Sequence, residues 1–219
     1  MSNNPHGIDI SKHQQVGDWN AVRQAGYEFA YIKATEGTGY VSPSLDDQIN
    51  GARGAGMTTG LYHFARPDTN AAEDEAAAFA QEVKRLGADA AGNLSPCLDV
   101  ERQGGNLPKW IGSWIGALRE ELNRGDVMVY ASATWFREKL DPNSWYSDGV
   151  NLWVAHYGPP PGQPEFTEHV AMHQYTSDGN VPGIGGRTDL NALMVDMGAL
   201  TGAQQPKRTG GFFSRLFGR

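Results

Sequence analysis

The chain has 219 residues, of which 39% are hydrophobic and 20% are charged. This size and composition are typical of one globular domain and exclude a disordered chain or one built from membrane-spanning segments. With 25 acidic residues, 18 basic residues and a single cysteine, Cys97, the sequence also argues against a nucleic-acid partner, a disulfide-stapled module and a cysteine zinc site.

Short β-like runs alternate with amphipathic helical stretches over roughly the first 140 residues. The four longer helices are predicted to begin at Asp, Ser or Asn capping residues and to end at glycine. The predicted strands are 7–11, 29–35, 57–64, 95–101 and 127–131. The predicted helices lie between Asp18 and Gly26, between Ser42 or Ser44 and Gly54, between Asn70 and Gly87, between Asn106 and Gly125, and over 134–140.

The last third of the chain has a different pattern. Strands are predicted at 152–156, 170–175 and 187–190, and they are joined by loops with no room for full helices. Five strand–helix units followed by three strands indicate an α/β single domain with a largely parallel sheet. We expect a TIM-like barrel near the lower size limit of about 200 residues, with an open doubly wound sheet as the alternative.

Alternation along the predicted strands places several charged residues on one face. Ile8 and Ile10 pack toward the helices, so Asp9 between them points into the barrel. The same alternation on the other strands predicts a converging set in which each member lies late in its strand, at the end where such barrels carry active sites. That set is Asp9, Lys33, Asp99, Glu101 and Asp189.

Acids gathered in an interior must pair, accept hydrogen bonds or retain a proton, so at least one is expected to have a raised pKa. Two carboxylates in unlike environments are the arrangement that glycoside hydrolysis requires. The Cα atoms of Asp99 and Glu101 should lie about 6.5–7 Å apart on one strand, which leaves the stereochemical outcome open. Each acid also has a structural alternative: Asp189 could be a turn residue and Asp9 a salt-bridge partner of Lys33.

Seven segments in order along the chain carry a family resemblance. They are Gly7–Ser11 (GIDIS), Phe29–Gly37 (FAYIKATEG), Gly60–Phe64 (GLYHF), Leu98–Glu101 (LDVE), Leu152–Tyr157 (LWVAHY), His173–Ser177 (HQYTS) and Thr188–Asn191 (TDLN). Over roughly residues 6–198 the sequence resembles glycoside hydrolase family 25, the Chalaropsis-type lysozymes. The resemblance implies a flattened (β/α)5(β)3 barrel. It also implies hydrolysis of the β-1,4 bond between N-acetylmuramic acid and N-acetylglucosamine in peptidoglycan.

The resemblance also implies roles for the four acids. Glu101 would be the general acid/base. Asp99 would be the second carboxylate, acting either as nucleophile or as the group that orients the substrate acetamido, whose oxygen then attacks the anomeric carbon. Asp9 and Asp189 would complete the site by holding and polarising their neighbours. A catalytically silent peptidoglycan-binding module and another hexosaminidase, such as a chitin hydrolase, are the alternatives.

Further residues are candidates for binding the glycan. Aromatic faces stack on pyranose rings, which makes Tyr62, Tyr130, Trp153 and Tyr175 candidate sugar platforms, with core packing as the alternative for each. Gln174 is a candidate amide binder whose alternative is a strand-end hydrogen bond. The full candidate set is Lys33, Glu36, Tyr62, Tyr130, Trp153, Gln174, Tyr175 and Asn191. We expect no metal site, no cofactor and a monomeric chain.

The two ends of the chain differ from the body. Residues 1–203 are predicted to form the catalytic barrel and 204–219 a basic, aromatic tail. Residues 207–219 carry four basic side chains and no acid, so the remainder of the chain has a charge of -11. One hypothesis is tail contact with an anionic membrane or outer envelope; the other is a docked short helix or a frayed end.

Residues 1–6 contain no apolar segment of the kind a signal peptide needs. We therefore expect synthesis in the cytoplasm, as for a phage endolysin or a virion-associated lysin. Action on the cell wall would follow holin-type release or virion delivery. Export by a dedicated secretion system is the rival expectation.

Overall fold

The computed structural model describes residues 4–202. The strands are β1 (His6–Ile10), β2 (Gln15–Val16), β3 (Tyr27–Glu36), β4 (Tyr40–Val41), β5 (Thr58–Phe64), β6 (Cys97–Asp99), β7 (Val127–Ser132), β8 (Val150–Ala155), β9 (Val170–Gly179), β10 (Ile184–Gly185) and β11 (Thr188–Leu193). The α-helices are α1 (Trp19–Gln24), α2 (Leu45–Gly54), α3 (Ala72–Arg85), α4 (Leu107–Leu122), α5 (Ala133–Trp135) and α6 (Met197–Thr201). A π-helical turn (Phe136–Leu140) continues α5, and a 3-10 turn (Pro142–Ser144) follows it.

Eight strands close into a barrel in the order β1-β3-β5-β6-β7-β8-β9-β11, and β11 returns to β1. All neighbouring pairs are parallel except β9–β11 and β11–β1, so β11 is the one barrel strand that runs in the opposite direction. Helices α1 to α5 follow β1, β3, β5, β6 and β7 along the chain. The predicted (β/α)5(β)3 barrel is therefore confirmed, and the open doubly wound sheet is wrong.

The helix ends show which sequence signals act locally. The Asp18 carboxylate accepts a hydrogen bond from the Ala21 backbone N–H at the start of α1, and Asn106 caps α4. The prediction for α3 is wrong by one residue, because Ala71 occupies the cap position. The Asn70 side chain instead donates to the carboxylate of Glu75, a helix residue that is fully buried.

Strand alternation produces two apolar layers. Ile8, Ile32 and Leu98 pack outward against the helices, in one cluster with Trp114 of α4. The opposite faces of the strands fill the barrel interior with a second cluster, which contains Phe29, Tyr31, Cys97, Met128, Trp153 and Met172. The interior is thus a packed core with an open end, as in other barrels of this kind.

A buried ion pair closes the end of the barrel opposite its mouth. The Arg124 guanidinium is 2% exposed and makes two hydrogen bonds, of 2.7 and 2.8 Å, to the Asp126 carboxylate. Ser95, which comes just before β6, also donates to this carboxylate, at 2.7 Å. Ser95 also contacts the Leu200 carbonyl, so α6 is fastened to the same end.

Three small elements are absent from the sequence prediction: the β2–β10 ribbon, the β3–β4 hairpin and α6. Within residues 4–202, no helix combines the length and the apolar character that crossing a bilayer requires. The predicted barrel boundary at residue 203 and the predicted tail lie outside the described residues.

Candidate active site

The four predicted acids meet in one cavity of approximately 250 Å³ at the open end of the barrel. The cavity is lined by nine residues of the predicted set: Asp9, Lys33, Tyr62, Asp99, Glu101, Tyr130, Trp153, Gln174 and Asp189. Sequence reasoning missed three further lining residues, Ser11, Phe64 and Tyr157. Among the described residues, no group of three His, Cys, Asp or Glu side chains is arranged to hold a metal ion.

The strands place these acids by two different routes. Asp99 is the last residue of β6, and Glu101 lies two residues beyond it. Asp9 and Asp189 are direct partners in the antiparallel pair β1–β11. The expectation that every acid lies late in its strand is wrong for Asp189, the second residue of β11. Because β11 runs antiparallel, its beginning reaches the rim where the parallel strands end.

The acids differ in their exposure to solvent. Asp9 is 8% exposed and Asp99 7% exposed, whereas Asp189 is half-buried and Glu101 lies at the surface of the cavity mouth. One oxygen of Asp99, Oδ1, is buried with no hydrogen-bond partner. The site therefore contains two deep carboxyl groups and two that reach water.

Burial raises the pKa of all four acids, and repulsion from a neighbouring acid adds to the effect for Asp9, Asp99 and Asp189. Desolvation, then the Asp189 charge, raises the pKa of Asp9 to about 8. Desolvation and Glu101 raise the pKa of Asp189 to about 6 and hold that of Asp99 well above its usual range. Desolvation also raises the pKa of Glu101, against the opposing effects of the neighbouring Tyr130 hydroxyl and the Lys33 charge.

Lys33 balances this charge from the side of the cavity. Its ammonium group forms a 2.8 Å ion pair with Glu36 and lies 4.4 Å from the centre of the Phe64 ring. Glu36 also accepts a hydrogen bond from Arg66, at 2.9 Å, and does not line the cavity. The ion-pair partner of Lys33 is thus Glu36 rather than Asp9. Lys33 lowers the pKa of Asp99 through its charge.

Two side-chain amides hold Asp9. The Gln174 Nε2 and Asn191 Nδ2 atoms donate to Asp9 Oδ2 at 2.9 and 2.8 Å. The Gln174 oxygen accepts from the Tyr130 and Tyr157 hydroxyls, at 2.9 and 2.7 Å. Asn191 is fully buried and lies behind Asp9 rather than on the cavity surface. Both amides are thereby placed to hold an acid, whereas glycan binding by Gln174 or Asn191 stays a prediction.

The candidate sugar platforms fall into separate environments. Tyr62 and Tyr130 line the cavity, and Trp153 lines it with a ring that is only 2% exposed. Tyr175 lies outside the cavity, because its neighbour Gln174 faces inward and successive strand residues alternate. The Tyr175 hydroxyl instead lies 3.3 Å from His6 Nδ1.

A second cavity of approximately 500 Å³ adjoins the first and shares Glu101, Tyr130 and Tyr157 with it. Trp135 and Glu165 line its far side. Tyr157 is 51% exposed. It lies two residues after the end of β8, and this position is the sequence signal by which it could have been identified as a site residue. The two cavities form one groove, with Glu101 at the boundary between them.

Comparison with known proteins gives one consistent result. The model of the family described as glycosyl hydrolases family 25 matches residues 8–184. Lysozyme M1 of Streptomyces globisporus is 32% identical over 200 residues, covering 84% of this chain and 66% of its own length. An autolytic lysozyme of Clostridium acetobutylicum is 35% identical over 187 residues, covering 84% of this chain and 54% of its own.

The chain therefore spans just under two thirds of the length of Lysozyme M1 and about half of the length of the autolytic lysozyme. Among solved structures, a bacterial lysozyme from Streptomyces coelicolor superposes with a TM-score of 0.80 at 29% identity, covering 92% of this chain and 98% of that one. The residues matched by the family model include Asp9, Asp99 and Glu101, whereas β11 and Asp189 lie beyond the end of that match. The chain belongs to glycosyl hydrolase family 25.

Proposed function

We propose that the protein is a lysozyme that hydrolyses the β-1,4 bond between N-acetylmuramic acid and N-acetylglucosamine in peptidoglycan. The observation that carries this proposal is the convergence of Asp9, Asp99, Glu101 and Asp189 on one open cavity, with two acids deep and two in contact with water. Unlike environments separate the protonation states of the carboxyl groups, which glycoside hydrolysis requires. The names of the relatives, Lysozyme M1 and autolytic lysozyme, support the substrate class.

Glu101 is the general acid/base in this proposal. It lies at the boundary of the two cavities, so a glycosidic oxygen that crosses the boundary meets its carboxyl group. Desolvation raises its pKa, which keeps the proton available for the departing oxygen. After departure, the resulting carboxylate accepts a proton from the incoming water, and the residue returns to its starting state.

Asp99 serves as the residue that orients the acetamido group rather than as a nucleophile. It is 7% exposed, and burial together with Glu101 raises its pKa, both of which favour the neutral form over a nucleophilic carboxylate. The Asp99 carboxyl group can accept a hydrogen bond from the acetamido N–H through its carbonyl oxygen while the acetamido oxygen attacks the anomeric carbon. Asp189, whose pKa is about 6, is largely ionised at neutral pH and supplies negative charge near the sugar ring, where positive charge develops in the oxocarbenium-like transition state. Asp9, whose pKa is about 8, accepts a hydrogen bond from Gln174 and holds that side chain in the cavity wall.

The groove gives the bound glycan a direction. The sugar that undergoes attack lies in the acidic cavity against Asp99, and the departing sugar lies beyond Glu101 in the cavity lined by Trp135. The indole ring of Trp135 offers that sugar an apolar face.

The test is digestion of purified peptidoglycan followed by identification of the new reducing ends. Muramic acid ends are expected. N-acetylglucosamine ends would overturn the bond assignment, and binding without cleavage would favour a silent binding module. Glu101→Gln should lose at least about 10²-fold in kcat with its folding intact. The matched control Glu120→Gln, on the exposed face of α4, should retain full activity.

We also propose that the basic segment 207–219 contacts anionic envelope lipid, and that the protein acts on the wall as a monomer after release from the cell by a partner. The support for the lipid contact is the charge of the segment, +4 against -11 for the rest. Deletion of 207–219 should weaken both lysis of intact cells and binding to anionic vesicles while leaving digestion of purified peptidoglycan unchanged. If cell lysis and vesicle binding both survive the deletion, the envelope role is wrong.

A further inference from the structure

The hydrogen bonds behind the acidic cavity form a directional chain that crosses three strands. It begins at the indole N–H of Trp153 on β8, which donates to Asn191 Oδ1 on β11 at 2.8 Å. It continues from Asn191 Nδ2 to Asp9 Oδ2 on β1, also at 2.8 Å. Both Trp153 and Asn191 are buried, at 2% and 0% exposure. No water is needed to satisfy either bond.

The chemistry of the groups fixes the direction of this chain. An indole nitrogen can only donate a hydrogen bond, so the group that faces it must accept. For Asn191 that acceptor is the amide oxygen, which leaves the NH₂ group turned toward Asp9. If the amide were flipped, two donors would face each other at the indole and an oxygen would face the carboxyl oxygens of Asp9. Burial makes both mismatches costly.

The second amide at Asp9 lacks this constraint. Gln174 receives hydrogen bonds from two tyrosine hydroxyls, and hydroxyl groups can donate or accept. The two hydroxyls therefore do not fix the orientation of the Gln174 amide, which depends on Asp9 itself, the group that its NH₂ faces. Trp153 is the one donor-only group in this part of the network, among the described residues.

We propose that Trp153 is a positioning residue, whose indole N–H orients Asn191 so that the amide presents a permanent donor to one oxygen of Asp9. The bond to Oδ2 stabilises the ionised carboxylate and holds its plane, which leaves Oδ1 for the cavity. This role explains why an aromatic residue of the cavity wall is almost wholly buried. In this role Trp153 does not stack on a sugar. It orients Asn191, and Asn191 in turn holds Asp9.

The proton equilibrium of Asp9 is the property that this chain controls. A donor to the ionised form lowers a pKa, and its loss raises it. The other titratable groups around Asp9 are Asp189, Glu101, Asp99, Cys97, Tyr62, Tyr130 and Tyr157. None of these forms a hydrogen bond with Asn191 in the described structure. Tyr130 packs edge-on against the Trp153 ring at 4.8 Å and donates to Gln174, so a change at Trp153 must keep a ring there if its effect is to reach Asp9 through the Asn191 amide.

The test combines a carboxyl titration with kinetics. Trp153→Phe keeps a ring and removes the N–H; Asn191→Ala removes the donor itself. Each should raise the pKa of Asp9, read from ¹³C-carboxyl NMR of aspartate-labelled protein, by about one unit. The limb of the kcat profile that Asp9 controls should move to higher pH by the same amount. The double variant should match the single ones, because the second change removes a bond that is already lost.

The matched control is Tyr31→Phe. The Tyr31 ring packs 4.9 Å from the Trp153 ring, and its hydroxyl donates to the Ser95 carbonyl, away from Asp9. This variant loses a buried donor from the same cluster and should leave the titration of Asp9 unchanged. Unchanged titration in Trp153→Phe, or effects of the two variants that add, would overturn the proposal.

If Trp153→Phe does not fold, the wild-type protein still decides the question. The Trp153 indole proton, assigned by NOE to Asn191, should shift with the titration of Asp9 and should not titrate in Asp9→Asn. If the chemical shift of the indole proton does not change as Asp9 titrates, the proposal is overturned. The kinetic arm rests on the proposed function, whereas the two NMR arms do not. If the protein cleaves no peptidoglycan, the proposed function is refuted. The positioning role of Trp153 is then decided by the NMR titrations alone.

Discussion

Asp9→Asn should stabilise the fold at neutral pH, even though it removes an acid from the site. Asp9 is 8% exposed and lies directly opposite Asp189 in the β1–β11 pair. An asparagine at this position keeps an oxygen that accepts from Gln174 and Asn191. It carries no charge to desolvate and none to repel Asp189. The acid cluster is thus a source of electrostatic strain in the folded state.

The size of the effect follows from the pKa of Asp9, which burial and Asp189 raise from 3.8 to about 8. A group whose pKa is higher in the folded state stabilises it fully below the unfolded value, and that stabilisation is lost as the pH rises toward 8. At about 1.4 kcal/mol per unit, the loss between pH 4 and pH 7 is on the order of 4 kcal/mol. We expect the substitution to recover about half of it, roughly 2 kcal/mol, or about 4–8 °C in Tm.

The assay is thermal and urea unfolding of both proteins at pH 4 and pH 7.5. The gain should be present at pH 7.5 and largely lost at pH 4, where the folded carboxyl group is protonated and the unfolded one, with a pKa of 3.8, is already protonated in part. Asp47→Asn, on the exposed face of α2, removes the same unit charge and should change stability by less than about 0.5 kcal/mol at either pH. Equal or lower stability of Asp9→Asn at pH 7.5 would refute the reasoning.

Three further predictions concern other parts of the molecule. Arg124→Met should cost about 3–5 kcal/mol in urea unfolding, because it leaves the buried carboxylate of Asp126 without its guanidinium partner; a loss below about 1 kcal/mol would contradict this. Gly7→Ala should cost about 1–3 kcal/mol, since the Phe29 ring occupies the space that a β-carbon needs, and Phe29→Leu in the same chain should recover part of it. A thiazoline analogue of the cyclised acetamido should inhibit competitively, and a 2-fluoro sugar should leave Asp99 unlabelled in mass spectrometry; labelling would restore Asp99 as a nucleophile.

Much of the fold could be predicted because burial on two sides leaves a clear signature in short strands. In β1 and β3, small or β-branched residues face the helices, and Asp9 and Lys33 occupy the alternate positions, so the inward set could be read directly. Asp18 and Asn106 cap α1 and α4 as predicted, and Gly26 follows the end of α1. Helix α4 instead ends at Leu122 with Asn123, not Gly125, in the left-handed conformation. By contrast, the two-residue strands β2, β4 and β10 are too short to show any period.

The site was harder to predict where it depends on register between distant strands. That Asn191 lies behind Asp9 follows from the antiparallel pairing of β1 with β11, which local sequence does not encode. Because β11 runs antiparallel to β1, Asp189 reaches the cavity from the start of its strand and not from the end. Tyr175 shows the opposite error: an aromatic residue beside a site residue was assigned to the cavity, although alternation turns it away.

The pairing of the first barrel strand with the last has a consequence for synthesis of the protein. Asp9 meets Asp189 and Asn191 only when residues 188–193 have joined β1 across nearly the whole length of the chain. Contacts so distant in sequence are slow to form. A growing chain on the ribosome can assemble the strand–helix units, yet its acid cluster stays incomplete until β11 has emerged. Under the proposed function, hydrolytic activity would therefore begin only after the barrel has closed.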